Sequence, residues 1–276
     1  MIASFFFRRT YLVVGLLTFA TGLLAQTAPV TAPRTGQPGK DVIWLPSPQI
    51  LVDRMLDMAK VTARDVVLDL GSGDGRMVIA AAKRGARAVG VEYDATLVEV
   101  SKRNAATEGV SDRATFGRAD LFQTDLSQAT VITLFLRDDL NLKLRPKLLG
   151  LKPGTRVVSN TFSMDDWEPD DLIVLERNCT QWCSAMMWVI PARVQGTWRI
   201  PEGDITLSQM FQMVTGSLRT RTGRAPITNG RLRGDQITFM AGRGRYSGRV
   251  SGNAIEGTVT EGGRTVKWTA TRAVSE

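Results

Sequence analysis

The sequence predicts an α/β domain built on a doubly wound parallel sheet, followed by a small antiparallel all-β module. A β-branched apolar run, Val66–Leu68, leads into a glycine-rich turn, and an alanine-rich helical run follows that turn. From there to about residue 193, strand-like and helix-like runs alternate, which is typical of a parallel sheet with helices on both faces. From residue 194 onward, helical periodicity stops and short alternating strands joined by glycine turns predict antiparallel hairpins.

The first 25 residues indicate a signal peptide rather than part of the fold. Arg8 and Arg9 precede an uncharged apolar stretch, residues 11–25, which is shorter than the roughly 20 apolar residues of a membrane span. Ala25 is a candidate cleavage residue. The run 8–12 also partly fits a twin-arginine export signal. We therefore expect an exported chain, periplasmic or secreted, with no transmembrane span after signal removal; the alternative is an uncleaved N-terminal membrane anchor.

Residues 26–40 are rich in Pro, Thr and Gly and nearly lack apolar side chains, which predicts a flexible linker. The predicted catalytic domain, residues 41–193, opens with the loop Trp44-Leu45-Pro46-Ser47-Pro48. In this loop Ser47 is predicted to cap the following helix, residues 49–60, with Pro48 as the first helical residue. The loop either covers one edge of the sheet or forms a lid over the ligand site.

The turn Asp69-Leu70-Gly71-Ser72-Gly73-Asp74-Gly75 is the centre of the predicted ligand site. Its glycines let a ligand approach the backbone and adopt φ values that side chains disfavour, and the helix behind it presents free N–H groups. Glu92 follows 23 residues after Asp69 and ends a predicted strand, 88–92, where its carboxylate can accept hydrogen bonds from both ribose hydroxyls. The alternatives for the turn alone are a structural tight turn or a dinucleotide-binding turn, but the spacing is G-x-G-x-G rather than G-x-G-x-x-G.

The later elements complete the predicted sheet. A helix over 95–107 ends at Gly109, and a short strand over 114–116 leads to Asp120 and Leu121. Asp120 is placed to accept a hydrogen bond from an adenine amino group; alternatively, it is a turn aspartate. The remaining predicted elements are a strand over 130–136 that is buried on both faces, a helix over 139–149, a strand over 156–160 and an antiparallel strand pair over 172–176 and 185–190.

Four segments together resemble one family of enzymes. They are W-L-P-S-P-Q (44–49), V-V-L-D-L-G-S-G-D-G-R-M-V-I-A-A-A (66–82), G-V-E-Y-D (90–94) and L-K-P-G-T-R-V-V-S (151–159). The glycine motif resembles the cofactor site of class I S-adenosylmethionine methyltransferases. The W-L-P-S-P loop looks like that of a mitochondrial and bacterial protein-lysine methyltransferase subfamily, which is distantly similar to the non-SET histone lysine methyltransferases.

This resemblance spans about residues 41–192. It implies a Rossmann-like methyltransferase sheet, S-adenosyl-L-methionine as the cofactor and a protein lysine as the methyl acceptor. The residues that it implies for cofactor binding are Asp69, Gly71, Ser72, Gly73, Asp74, Gly75, Glu92, Asp120 and Leu121.

The acceptor side of the site is predicted from the loop. We hypothesise that Trp44, Leu45 and Pro46, with Ser47, form an apolar wall that desolvates a lysine and lowers its pKa, with Asn160 opposite. No catalytic residue is assigned. The alternatives are methylation of a small molecule or lipid, and a non-catalytic nucleoside-binding or scaffold role.

Two absences in the sequence narrow the chemistry. The chain contains no His, which excludes a His base or a zinc site of the usual kind, and no metal is expected. The tetrapeptide D/N-P-P-Y/F, which methyltransferases of adenine, cytosine or glutamine amino groups usually carry, is missing after the strand 130–136. This absence disfavours DNA amino methylation.

The two cysteines, Cys179 and Cys183, lie between the last two strands of the predicted sheet. Their C-x-x-x-C spacing inside a hairpin loop allows a small closed ring. In an oxidising compartment this spacing predicts a disulfide, and the alternative is a pair of free thiols.

Residues 194–276 are predicted to form an antiparallel meander, as an open sheet or a small barrel. Residues 230–237 match residues 248–255, and each segment consists of a strand, a tight Gly-Asp or Gly-Asn turn and a strand. The module holds 12 Lys and Arg against 6 Asp and Glu, which predicts an anionic partner: a phospholipid surface, an acidic polymer or an acidic protein. The alternative is a solvated arginine-rich strand face. Nucleic acid is not expected, because aromatic and basic residues do not interleave.

Overall fold

The computed structural model describes residues 34–39 and 43–273. The predicted signal peptide, with Arg8, Arg9 and Ala25, and most of the predicted linker lie outside the described residues. The described linker residues contact the loop that follows: the N–H of Gly36 donates to the carbonyl of Trp44 at 2.8 Å, and the N–H of Trp44 donates to the carbonyl of Gln37 at 2.9 Å. Within the described ranges, no helix is both long enough and apolar enough to cross a membrane.

The first part of the described chain alternates between helices and strands, as the sequence predicted. Most predicted bounds differ by one to three residues from those in the structure. The elements are α1 (Gln49–Met58), β1 (Val66–Leu70), α2 (Arg76–Lys83), β2 (Arg87–Glu92), α3 (Ala95–Thr107), β3 (Ala114–Arg118), β4 (Val131–Leu134), α4 (Asp138–Leu148), β5 (Arg156–Asn160), β6 (Asp171–Val174) and β7 (Ser184–Val189).

These strands form one sheet in the order β3-β2-β1-β4-β5-β7-β6. Strands β1 to β5 pair in parallel, whereas β7 runs antiparallel to both β5 and β6. The winding direction reverses between β1 and β4, and in such sheets ligands bind in the crevice at the carboxyl ends of the two strands. The predicted doubly wound sheet with a closing antiparallel pair is confirmed.

Helices cover both faces of the sheet and bury its apolar side chains. On one face, Leu51 of α1, Val78 of α2 and Ala105 of α3 belong to one buried cluster. On the other face, Leu140 and Leu144 of α4 belong to a second cluster. Burying a leucine or valine side chain stabilises the fold by about 1.5–3 kcal/mol, so the two clusters hold the layers together.

The start of α1 differs from the sequence prediction. Pro48, rather than Ser47, occupies the cap position, and no side chain caps the helix. The hydroxyl of Ser47 instead accepts a hydrogen bond from the amide of Asn160 at 2.9 Å. Asn160 is fully buried at the end of β5, and a buried amide must find its partners inside the protein. A tertiary hydrogen bond therefore takes the place of the predicted local cap.

The rest of the described chain forms a closed eight-stranded antiparallel barrel. The sequence left open whether this module was an open sheet or a barrel; in the structure the last strand returns to pair with the first, which removes the free edges. Its interior contains Trp198, Leu232 and Phe239. The strands are β8 (Gly196–Ile200), β9 (Gly203–Met210), β10 (Met213–Thr220), β11 (Gly223–Arg233), β12 (Gln236–Ala241), β13 (Gly244–Ser251), β14 (Ala254–Glu261) and β15 (Arg264–Arg272).

One end of the barrel packs against the sheet domain. The turn between β9 and β10 places the ring of Phe211 on the indole of Trp167, with 5.5 Å between ring centroids. The side-chain carbonyl of the neighbouring Gln212 accepts a hydrogen bond from the indole N–H of Trp167 at 2.8 Å. Two ion pairs lie beside this contact, Arg231 with Asp170 at 2.7 Å and Arg233 with Asp171 at 2.6 Å.

Candidate functional site

The glycine turn follows β1 and needs glycine for two physical reasons. Gly71, Gly73 and Gly75 have φ values of +83°, +54° and +85°, which L side chains rarely adopt. Space is also lacking: a Cβ on Gly73 would lie 2.4 Å from Nε1 of Trp44, and a Cβ on Gly75 would lie 2.8 Å from the ring of Phe116. The turn therefore packs against the W-L-P-S-P loop on one side and against β3 on the other.

Glu92, at the end of β2, lies directly beside this turn. Its Oε2 accepts a hydrogen bond from the N–H of Gly73 at 3.0 Å. Its Oε1 accepts from the N–H groups of Tyr93 and Asp94 at 2.7 and 3.0 Å. A carboxylate offers about four acceptor positions, so the chain uses three and leaves one for a ligand hydroxyl. A second ligand hydroxyl would have to share an acceptor position of Glu92 with one of the three backbone N–H groups, or displace that N–H group.

Asp69 is the buried acid of the motif. Its carboxylate accepts a hydrogen bond from the hydroxyl of Thr133 on β4 at 2.6 Å. Burial raises the pKa of Asp69 to about 7, and the nearby negative charges of Glu92 and Asp74 act in the same direction. A cation bound in the crevice would favour the ionised form of Asp69.

Arg76 connects the glycine turn to the W-L-P-S-P loop. Its guanidinium pairs with the carboxylate of Asp74 at 2.5 Å and donates a hydrogen bond to the carbonyl of Ser47 at 2.7 Å. Asn104 of α3 donates to the backbone carbonyl of Asp74 at 2.9 Å. The sequence analysis missed Arg76, whose only signal was its position immediately after the motif.

Asp120 has the turn role that the sequence left open, and it also lines the cavity. One oxygen of its carboxylate accepts a hydrogen bond from the N–H of Phe122 at 2.8 Å, as turn aspartates do. Asp120 and its neighbour Leu121 also line the crevice beside β1 and β4. The turn bond thus orders the backbone next to the ligand site.

These groups surround a cavity of about 620 Å³, and small-molecule sites typically have volumes of about 300–1,000 Å³. The structure differs from the prediction at two residues. Gly75 is the cap residue that precedes α2 and packs against Phe116 and Ser101 instead of lining the cavity, and Asn160 is buried behind Ser47 rather than opposite the loop. The other predicted residues line the cavity together: Trp44, Leu45, Pro46, Ser47, Asp69, Gly71, Ser72, Gly73, Asp74, Glu92, Asp120 and Leu121.

Three aromatic residues that the sequence analysis did not single out also line this cavity. Phe135 follows β4, Phe162 follows β5, and Trp182 lies in the connection between β6 and β7. In the same connection a disulfide joins Cys179 to Cys183, the pair that the spacing predicted. Because the three rings come from distant parts of the chain, no local sequence pattern indicates that they meet.

Comparison with known proteins gives consistent relatives. Residues 69–171 match the family model for the ANTKMT methyltransferase domain. A protein-lysine N-methyltransferase of Saccharolobus islandicus (strain REY15A) is 44% identical over 138 residues, which are 49% of this chain and 86% of that protein. The mouse adenine nucleotide translocase lysine N-methyltransferase is 37% identical over 105 residues, 37% of this chain and 46% of that protein. The chain spans about half the length of the vertebrate lysine N-methyltransferases that it matches.

A solved structure shows the same fold with a bound nucleoside product. It is described as an RNA methyltransferase from Salinibacter ruber in complex with S-adenosyl-L-homocysteine. Its sequence is 47% identical, and the superposition covers 54% of this chain and 96% of that chain with a TM-score of 0.51.

Proposed function

This chain belongs to the class I S-adenosylmethionine-dependent methyltransferases, in the protein-lysine subfamily of its Saccharolobus relative, and from that premise we propose that it methylates the side-chain amine of a protein lysine. The observation that carries the proposal is the cavity that joins the glycine turn and Glu92 to the W-L-P-S-P loop. The cavity has both the groups that a nucleoside needs and apolar walls.

The residues of the cavity fit S-adenosylmethionine, which supplies a methyl group already activated on a sulfonium. Glu92 stands beside the turn, where ribose hydroxyls can donate to its carboxylate. The carboxylate of Asp69 offers negative charge to a cationic ligand.

The apolar part of the cavity lining is suited to an amine. Trp44, Leu45 and Pro46 contribute apolar wall, and apolar surroundings lower the pKa of a lysine, so that more of it is the free amine that can attack. Arg76 holds this loop against the turn through the carbonyl of Ser47. The chain therefore binds, desolvates and orients the two reactants, and such positioning can supply much of the rate of a methyl transfer.

The experiment is methyl transfer by the purified chain from S-adenosylmethionine labelled in its methyl group. Envelope proteins, lipids, small metabolites and RNA from a strain that lacks the protein are offered as separate fractions. We expect label in protein, at lysine, by tandem mass spectrometry. Label found only in lipids or metabolites would contradict the lysine proposal and support a small-molecule or lipid acceptor. Cofactor binding without methyl transfer to any fraction would favour the non-catalytic role.

RNA is a second candidate acceptor for one reason. The Salinibacter structure, which shares 47% identity with this chain, is described as an RNA methyltransferase. Label in the RNA fraction and none in protein would support this candidate against the lysine proposal.

We further propose that the chain is exported. Arg8 and Arg9 before the uncharged run 11–25 support a signal peptide, and the bond between Cys179 and Cys183 is typical of oxidising compartments. The mature protein is expected to begin near Gln26 and, without reductant, to carry no alkylatable thiol. A cytoplasmic product that retains Met1, or that has two reactive thiols, would contradict this proposal.

A further inference from the structure

A cluster of three aromatic rings lines the cavity. The ring centroids of Phe135 and Phe162 are 6.0 Å apart, and Trp182 lies 5.6 Å from each of them. All three side chains are partly exposed and line the same cavity as the glycine turn and Glu92. Phe135 follows β4 and Phe162 follows β5, and the carboxyl ends of these strands face the ligand crevice, whereas Trp182 lies in the connection between β6 and β7.

The backbone around this cluster is held in unusual conformations. Trp182 has φ of +57°, and Thr161, which precedes Phe162, has φ of +60°. Positive φ at a bulky or β-branched residue is strained, and such strain concentrates at functional sites. A hydrogen bond from the N–H of Thr161 to the carbonyl of Ser184 at 2.9 Å joins the two strained segments.

Each segment is also fixed by a separate device. The carbonyl of Phe162 accepts hydrogen bonds from the hydroxyl of Ser159 at 2.7 Å and from the amide of Asn141 at 3.2 Å. Trp182 lies inside the small ring that the disulfide from Cys179 to Cys183 closes. The rings are therefore held in place before any acceptor binds.

The charge of the cavity favours a cationic occupant. Its lining carries more acidic than basic side chains within the described residues. The carboxylates are Asp69, Asp74, Glu92, Asp94 and Asp120, and the arginines are Arg76 and Arg137.

From these observations we propose that Phe135, Phe162 and Trp182 form the acceptor subsite, with the disulfide loop positioning Trp182. The ring faces bind the arriving lysine as its alkylammonium ion. The ion then loses its proton to water beside the apolar loop of Trp44, Leu45 and Pro46, and the free amine attacks the methyl group. Aromatic faces attract ammonium groups and also cover the aliphatic stem of a lysine. This inference rests on the proposed function, because it names the site at which the lysine of that reaction binds.

The test measures binding of a capped lysine, N-acetyl-lysine methylamide, to the protein saturated with S-adenosylhomocysteine. Saturation-transfer NMR detects weak ligands, and N-acetyl-norleucine methylamide is the matched probe without the ammonium group. We expect the lysine probe to bind more tightly than the norleucine probe. Trp182→Leu is expected to weaken lysine binding about tenfold, Trp182→Phe to retain most of it, and the double variant Cys179→Ser/Cys183→Ser to weaken it by less.

The affinity for S-adenosylhomocysteine, measured by calorimetry, reports whether each variant is folded and is expected to change less than twofold. Equal binding of the two probes, or unchanged lysine binding in Trp182→Leu, would overturn the acceptor subsite. A large loss of S-adenosylhomocysteine affinity in both Trp182→Leu and Trp182→Phe would assign the rings to the cofactor instead. Failure of the proposed function would give a different result from failure of the subsite. In that case the wild-type protein would bind the lysine probe but form no methyl-lysine in the methyl-transfer assay.

Discussion

The carboxylate of Glu92 accepts a hydrogen bond from the N–H of Gly73 and lines the cavity, where we expect the ribose hydroxyls of the cofactor to donate to it. Glu92→Ala is expected to lower S-adenosylmethionine affinity roughly 10- to 100-fold, since hydrogen bonds to a charged group contribute about 1.5–3 kcal/mol. Glu92→Gln retains one acceptor oxygen, so we expect a smaller loss. Calorimetry measures both variants.

The matched control is Glu99→Ala, which removes an exposed acid that pairs with Lys102 on α3. Its S-adenosylmethionine affinity is expected to equal that of the wild-type protein. If Glu92→Ala behaves like this control, Glu92 does not belong to the cofactor site.

Asp69 and Asp65 are two buried acids whose pKa values shift in opposite directions. Burial raises the pKa of Asp69 from 3.8 to about 7. Burial acts in the same direction on Asp65, but hydrogen bonds from Thr62 and Thr130 and the guanidinium of Arg156 outweigh it, so the pKa of Asp65 is lowered. The ionised form is therefore disfavoured by folding at Asp69 and favoured by folding at Asp65.

The stability of the protein should report this difference. Between about pH 4 and pH 7, Asp69 keeps its proton in the folded state but has lost it in the unfolded state. The contribution of Asp69 to the free energy of unfolding therefore falls as pH rises through this range and stays constant above about pH 7. Asp69→Asn is therefore expected to raise the free energy of unfolding at pH 8 by an amount on the order of 1–4 kcal/mol. It should also weaken S-adenosylmethionine binding, because the cofactor loses a nearby negative charge.

The control is Asp65→Asn, for which the opposite sign is expected. Asp65 stabilises the fold above pH 3.8 and loses that contribution as pH falls through its lowered pKa. Thermal and denaturant unfolding of both variants at pH 8 and pH 4 gives the comparison. An Asp69→Asn protein that is less stable than wild type at pH 8 would contradict the prediction.

At the scale of elements, the turn between β9 and β10 joins the barrel to the sheet. Gln212 accepts a hydrogen bond from the indole of Trp167 and donates to the carbonyl of Glu168 at 2.7 Å. Gln212→Ala leaves these buried groups without a partner, so we expect a loss of about 1–3 kcal/mol in the free energy of unfolding. Denaturant unfolding measures this loss.

Gln236→Ala on β12 is the matched control, because that side chain is exposed. Its free energy of unfolding should stay within about 0.5 kcal/mol of wild type. Equal effects of the two substitutions would show that the Gln212 contact contributes little to stability.

At the scale of the whole molecule, the antiparallel barrel places alternate turns at opposite ends. Phe211 and Gly234 lie in turns at the end that packs on the sheet domain. The turns at the other end contain Arg221 and Arg243, and Arg264 is the first strand residue after a third such turn; all three are exposed. Part of the positive charge of the module thus faces the sheet domain through Arg231 and Arg233, and part is displayed at the far end.

The far end of the barrel is the surface that we test for binding to an anionic membrane. Each basic residue near such a surface contributes about 1 kcal/mol to binding. If the far end binds there, replacing Arg221, Arg243 and Arg264 together by Gln should weaken binding to phosphatidylglycerol vesicles roughly tenfold or more. Sedimentation with vesicles at low and high salt measures the effect. The control replaces three exposed basic residues of the sheet domain, Arg64, Lys102 and Arg113. Equal, weak binding by the wild type and both variants would favour the solvated strand face.

The sequence by itself determined the sheet and the meeting of the glycine turn with Glu92 at its edge. Residues 69–75 are the end of β1 and the turn that follows it, and Glu92 ends the next strand. Their proximity follows from the rule that parallel strands carry ligand sites at their carboxyl ends. The repeat at residues 230–237 and 248–255 likewise marked two real hairpin turns, at Gly234 and Gly252.

Only the tertiary structure decided the rest. Closure of the barrel depends on the pairing of β15 with β8. The role of Ser47 depends on the buried amide of Asn160, which is 113 residues away in the chain. The aromatic cluster depends on loops next to three separate strands. A local pattern reports the preferences of neighbouring residues, whereas these contacts arise because a folded interior must close its edges, satisfy its buried polar groups and fill its space. Those requirements act between residues that are distant in the chain.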